Sequence, residues 1–333
     1  MMLKMKKTLL LSVLAASVAM TACQPKNADK KSDPEKTQTS ASEVPDTSLQ
    51  LLGNNEELVL NIPECDDKNC PDFHVERLKT NQSYVDEALD QAILKQLKTM
   101  LSISEQYNKQ NKPADTDKSK QPDQEVPSST VMGQTAPETP AQILAKQVQP
   151  YLDNFLNLDT ELKKLGVSHK ITLNINPKIL NSDGPLVTVV LNSSSYLGGA
   201  HGATAQQYFN FDLKKQKQVE LKDILAANQH AALENKAHEA FKIWVKDSKL
   251  ADNVDQYEQS WKFKLSDNFY LGRQGLILQY AEYEIGPYVV GLPRLVIPYE
   301  QLQTILKKEY LPEIKAQEIK AEDSQAKSEQ AKP

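Results

Sequence analysis

Apolar residues recur at helical spacing in three stretches of this chain and alternate with polar ones in several others. Val85, Ala88, Leu89, Ala92, Ile93, Leu97, Met100 and Leu101 keep the i, i+3, i+4, i+7 spacing. That spacing places them on one stripe and predicts an amphipathic helix in need of a partner surface. Leu144, Val148, Leu152, Phe155 and Leu162 predict a second helix. Gly166, just beyond it, suits a left-handed helix cap. A third helix carries Leu233, Ala237, Ala240, Phe241 and Trp244 on one side and is expected to cover a sheet.

Strands announce themselves by a period of two, which sends alternate side chains to opposite faces. Ile171, Leu173 and Ile175 alternate with Lys170, Thr172, Asn174 and Asn176, and Phe209, Phe211 and Leu213 repeat the pattern. Earlier in the chain, Glu57–Ile62 and Phe73–Leu78 read as strands. Leu271–Gly275 reads as a hairpin leading into Leu276, Leu278 and Tyr280. Short turns between strands, with the helices gathered elsewhere, predict an α+β fold: an antiparallel sheet with packed helices, plus disordered linkers.

Polar segments divide the chain. Residues 23–55 are rich in Lys, Asp, Ser, Thr, Pro and Gln and bury too little to offset ordering, so they are expected to form a tether. Residues 106–138 have the composition of a low-complexity linker or insertion. A small α+β part (56–105) and a larger domain (139–311) are expected between and after them, followed by a charged tail (312–333).

The first 22 residues read as an export signal, with Lys4, Lys6 and Lys7 ahead of an apolar run from Leu9 to Ala19. That run is shorter than the roughly 20 residues that span a bilayer core. It ends in Met20-Thr21-Ala22-Cys23, which resembles a bacterial lipobox, so Cys23 is the expected lipidation site. Cleavage before Cys23 removes three lysines and no acid, taking the formal charge from −5 to −8. Gln24, rather than Asp, after the cysteine favours the outer membrane, with the protein facing the periplasm and held there by its acyl chains. The balance of 39 basic against 44 acidic residues gives no basic excess for nucleic acid.

Cys65 and Cys70 enclose a short turn-forming loop, and an exported chain meets an oxidising compartment, so a disulfide is expected there. A metal site would recruit His74 but lacks an evident fourth ligand. His230 and His238, about 12 Å apart along a helix at 1.5 Å per residue, are too distant to share an ion. They are expected to face solvent or cap the helix, and His169 is expected at the surface. No metal or other cofactor is expected.

The most distinctive stretch is Ser193-Ser194-Ser195-Tyr196-Leu197-Gly198-Gly199-Ala200-His201-Gly202, in which paired glycines permit a sharp turn. It lacks the Gly-x-Ser-x-Gly elbow of a serine hydrolase. Further on come Phe211-Asp212, a Lys-rich hairpin, Leu221-Lys222-Asp223-Ile224-Leu225, Tyr283-Glu284-Ile285-Gly286-Pro287-Tyr288 and Ile297-Pro298-Tyr299. In this order the motifs resemble the RsiV-like family over about Pro140 to Leu311. That family's C-terminal domain, of unknown function, occurs in lysozyme-sensing anti-sigma factors, beside peptidoglycan deacetylase domains and in stand-alone exported lipoproteins.

The resemblance implies an RsiV/PdaC-like fold and a protein-binding module. Tyr196, Gly198, Gly199, His201, Tyr283 and Tyr288 are the candidate partner contacts. The expected function is a non-enzymatic envelope lipoprotein that binds an envelope protein or peptidoglycan, with lysozyme the partner the resemblance suggests. Only Met1 to Lys7 precede the apolar run, so no anti-sigma segment is expected. Neither a Thr-x-Asp-Asp nor a His-x-x-x-His pair supports a deacetylase. The alternative is a peptidoglycan-acting enzyme or metal-binding protein in which His201 and Glu284 meet as acid and base or as ligands.

Overall fold

The computed structural model describes residues 49–66, 68–110 and 137–312, without the side chains of 103–110. The export signal, Cys23, most of the tether, most of the 106–138 segment and the tail beyond Pro312 lie outside the described residues. Among the described residues, nine strands form two sheets. The first, in the order β1-β2-β3-β4-β5-β6, contains β1 (Gly53–Glu57), β2 (Asp72–Thr80), β3 (Thr172–Asn181), β4 (Val187–Tyr196), β5 (Ala203–Asp212) and β6 (Lys217–Val219). The second contains β7 (Phe269–Leu271), β8 (Gly275–Gln279) and β9 (Arg294–Pro298). All pairings are antiparallel except that of β2 with β3. A parallel pair demands a crossover, and helices α1 (Ser83–Gln110) and α2 (Pro140–Lys164) lie within it. The parts before and after the 106–138 segment therefore share one sheet.

The expected helical stripe of α1 is buried at Val85, Leu89, Ile93, Leu97 and Leu101. It shares a core with Leu144, Val148, Leu152 and Phe155 of α2 and with Leu173, Ile175, Val189 and Phe211 of the sheet. The start of α2 is fixed by a capping box: Thr139 Oγ1 accepts from Gln142 N, and Gln142 Oε1 accepts from Thr139 N at 2.9 Å. Its end is fixed by Gly166 at φ +81°, which lets Val167 N–H reach Leu162 O at 3.0 Å.

A second core lies under the smaller sheet. Helices α3 (Leu221–Ile224), α4 (His230–Asp247) and α5 (Val254–Ser260) follow β6. Leu233, Ala237, Phe241 and Val245 of α4 pack with Leu276, Leu278, Leu295 and Ile297 of β8 and β9. Side chains, not a shared strand ladder, join the two sheets. Asn268 donates its amide to Gln206 O at 2.7 Å and accepts from Tyr208 N at 2.8 Å, occupying the place a neighbouring strand would take beside β5. Buried Asn210 accepts from Thr188 Oγ1 and donates to Phe269 O, both at 2.8 Å. The rings of Tyr208 and Tyr270 stack at 4.4 Å.

Three expectations need correcting. The first strand is Gly53–Glu57, not Glu57–Ile62: Val59 and Ile62 are 92% and 56% exposed, and the segment turns Leu58 and, in part, Leu60 inward without pairing as a strand. The tether therefore stops short of Asn55, since Leu51 is buried and Gly53–Asn55 pair with Leu78–Thr80. Helix α1 runs to Gln110, past the expected start of the linker at 106.

The polar strand β1 stays in place because Glu56 reaches Arg77, a guanidinium buried to 3% exposure. Arg77 Nη1 lies 2.8 Å from Glu56 Oε1, Nε 3.0 Å from Asp90 and Nη2 3.7 Å from Asp86. Burial pushes the Asp86 and Asp90 carboxyls above their ordinary range, and their bonds to Thr80 and Arg77 reverse only part of that rise.

Candidate functional site

Two loops from distant parts of the chain meet at the Gly-Gly-Ala-His turn between β4 and β5. Gly198 takes φ +85°, and a Cβ there would sit 2.9 Å from Leu162 Cδ1 of α2, so the turn is seated against that helix. Gly198→Val is expected to cost about 1–2 kcal/mol, because it adds left-handed strain to a close contact. A thermal midpoint unchanged from the parent would contradict this reading.

The second loop is Tyr280–Gly291. The sequence suggests a Tyr-rich strand here, but β8 ends at Gln279 and the segment forms turns and a short 3-10 helix at Tyr288–Val290. Its residues divide into anchors and presenters. Tyr280 and Ile285 are fully buried, and Tyr280 OH donates to Lys264 O at 2.9 Å. Burial, with Glu284 nearby, pushes the Tyr280 phenol upward. Tyr257 OH donates to Ile285 O at 3.0 Å, and a Cβ on Gly286 would lie 2.8 Å from that hydroxyl and 3.1 Å from Trp244. Only glycine leaves the loop this close to α4 and α5.

With the loop pinned from behind, Tyr283 and Tyr288 are held at the front. The His201 ring stacks on Tyr288 with centroids 4.7 Å apart and planes at 24°, and Tyr288 stacks on Tyr283 at 5.6 Å and 29°. Tyr288 OH donates to Gly202 O at 3.2 Å, tying the two loops together. Tyr283 is 54% exposed and takes φ +62°, a backbone conformation unusual for a non-glycine residue. Val289, beside the stack, is 86% exposed.

The structure thus brings His201, Tyr283 and Tyr288 together. Gly198 and Gly199 shape the turn, and half-buried Tyr196 closes β4 opposite Thr172 without joining the stack among the described residues. Sequence reading missed Glu282. Its Oε1 accepts from Thr204 N at 3.1 Å and from Thr204 Oγ1 at 2.5 Å, clasping the Tyr loop to β5. Nothing in the local sequence distinguishes Glu282 from Glu284, because the difference lies in which one faces β5. Glu284 instead accepts from Ala281 N at 2.9 Å, within its own loop. No hydrogen bond joins Glu284 to His201 among the described residues. Nor, among the described residues, do three or more His, Cys, Asp or Glu side chains gather as a metal site.

Elsewhere, Cys65 and Cys70 are joined by a disulfide in the connection between β1 and β2, with Cα atoms 5.9 Å apart. His74 lies 3.3 Å from Glu76. His238, expected to face solvent or cap the helix, is half-buried: it stacks on Phe263 at 4.8 Å and lies 2.9 Å from Glu258. A cavity of about 1120 Å³ has Asp212, Lys215, Tyr270, Arg273 and Tyr310 on its walls. Lys215 is engaged there by Asp212 at 3.0 Å and Glu309 at 3.3 Å. No helix among the described residues is long and apolar enough to cross a membrane.

Residues 222–300 match the model of a family described as a protein of unknown function, DUF3298. The peptidoglycan-N-acetylmuramic acid deacetylase PdaC of Bacillus subtilis (strain 168) is 26% identical over 150 residues. That alignment covers 43% of this chain and 31% of the enzyme, so the chain spans about a third of that relative's length. The crystal structure of a DUF3298 family protein from Pseudomonas aeruginosa PAO1 superposes with a TM-score of 0.53 at 23% identity, covering 79% of this chain and 95% of that one. A DUF3298 family member from Bacteroides fragilis NCTC 9343 gives 0.49 at 20% identity, with coverages of 78% and 93%.

Proposed function

We propose that this chain, whose residues 222–300 carry a DUF3298 domain of the RsiV/PdaC-like kind, is a non-catalytic binding protein of the cell envelope, moored by lipid on Cys23. The observation that carries the reading is the His201–Tyr288–Tyr283 stack, held rigid from behind and open in front. Tyrosines offer large contact area and a hydroxyl at small entropic cost, which suits recognition. Rigid rings have already lost the freedom that binding would otherwise remove.

The likeness to a peptidoglycan deacetylase supports a role at the cell wall. The acidic net charge favours a basic partner that works there, and lysozyme has that chemistry. The test is isothermal titration of the full chain with lysozyme, beside sedimentation with purified peptidoglycan. Binding to either at micromolar concentration, weakened about tenfold or more by combined His201→Ala, Tyr283→Ala and Tyr288→Ala substitutions, is the expected result. Binding unaffected by those substitutions, binding to neither, or cleavage of peptidoglycan by the chain alone would overturn the proposal.

A further inference from the structure

One margin of the smaller sheet carries no neighbouring strand among the described residues. β9 is the outer strand of that sheet. Tyr280 N–H donates to Pro293 O at 2.9 Å. Backbone groups alternate in direction along an antiparallel strand, so those of Pro293, Leu295 and Ile297 turn toward β8 and those of Arg294 and Val296 turn outward. No described residue hydrogen-bonds to the outward backbone groups of Arg294 or Val296. Unpaired groups on a strand edge offer a template for another strand. Here Val296, in mid-strand, is 42% exposed.

Alongside this edge runs helix α4, and between them lies a groove of about 330 Å³. Lys236, Glu239, Ala240, Ile243, Trp244 and Asp247 line it from the helix, with Lys236 in an ion pair with Glu239 at 2.8 Å. Their spacing places them on one stripe, and Ile243 is 60% exposed although it is large and apolar. The charges at the two ends of the stripe are opposite, with small Ala240 and apolar Ile243 about its midpoint. A two-fold axis through the β9 edge would lay a second α4 antiparallel beside the first. Lys236 would then face Asp247 of the second copy at both ends, with Ile243 and Ala240 in the middle. Such self-complementarity is what an isologous interface requires.

We infer that two copies of this chain associate through β9 and α4. The outward N–H and C=O groups of Arg294 and Val296 pair across the axis to extend the three-stranded sheet to six. This surface is separate from the aromatic stack, and the inference does not depend on the binding role proposed for that stack.

Sedimentation equilibrium of the full chain over about 1–100 µM is expected to show a monomer–dimer equilibrium. Lys236→Asp and Asp247→Lys are each expected to weaken dimerisation about tenfold, and the double variant to recover most of that loss, because it restores opposite charges across the axis. Both positions lie on the solvent side of α4, so the variants should keep the parent's circular dichroism. Val296→Pro, which removes an outward N–H at an edge position that tolerates proline, is expected to weaken the dimer as well. A chain that stays monomeric throughout overturns the inference, and so does a dimer indifferent to both charge reversals or a double variant no better than the singles.

Discussion

Replacing Arg77 with Met is expected to destabilise the fold by about 3–5 kcal/mol near neutral pH, the usual cost of stranding buried charges by removing their partner. The guanidinium is 3% exposed and faces Glu56, Asp86 and Asp90. Methionine matches its length but leaves three carboxylates facing one another. The loss should depend on pH in a definite direction. Asp86 and Asp90 already titrate above their ordinary range in the folded chain, chiefly because they are buried. A group raised in this way contributes stability that is complete below its unfolded pKa and lost as pH rises through its folded pKa. Without Arg77 both carboxyls would rise further, so the variant's deficit should be widest near neutrality and narrow on acidification toward the carboxylate range. Urea unfolding at both pH values measures it. A deficit under about 1 kcal/mol, the scale of an exposed pair, would place Arg77 among surface contacts and contradict its burial.

The second large effect is expected at Phe241. This ring is fully buried and lies 5.6 Å from Phe263, 6.0 Å from Trp244 and 6.1 Å from Tyr257. Phe241→Ala should cost about 3–5 kcal/mol through lost transfer energy and the cavity left behind. Phe155→Ala should cost a similar amount, since Phe155 is equally buried in the other core, 5.4 Å from Phe73. The two differ in what else they disturb. Trp244 and Tyr257 are the residues against which Gly286 packs, and Tyr257 also holds Ile285 by hydrogen bond. Phe241→Ala is therefore expected to loosen the Tyr283–Tyr288 loop and weaken partner binding under conditions where the variant is still folded. Phe155→Ala should leave binding by its folded fraction intact. Equal binding by the two folded variants would show that the loop does not lean on this core.

Much of this architecture is legible in the sequence, because the signal is local. The helical stripe at Val85–Leu101, the glycine stop at Gly166 and the alternation around Leu173 and Phe209 each follow from backbone periodicity or turn chemistry. What escapes is set by partners far along the chain. Gly53–Glu57 is too polar to announce a strand and becomes one because Arg77 needs Glu56. The division of the strands into two sheets depends on Asn210 and Asn268, whose side-chain amides carry no periodic signature. At the candidate site the sequence points to His201, Tyr283 and Tyr288 through their glycine and proline neighbours. It cannot show that the three rings stack or that Glu282 provides the clasp.

The amide of Asn268 stands in for a strand beside β5. A ladder shared by the two sheets would lock their registers together, so that a residue gained or lost between them would flip side chains on the far side. Side-chain contacts of this kind, with those of Asn210 and Tyr208, transmit no such register constraint. The stretch from β6 to β7, with three helices and their connections, can therefore lengthen or shorten in relatives while both sheets keep their inward faces. In this respect the fold behaves as two frames coupled by side chains, able to diverge at different rates.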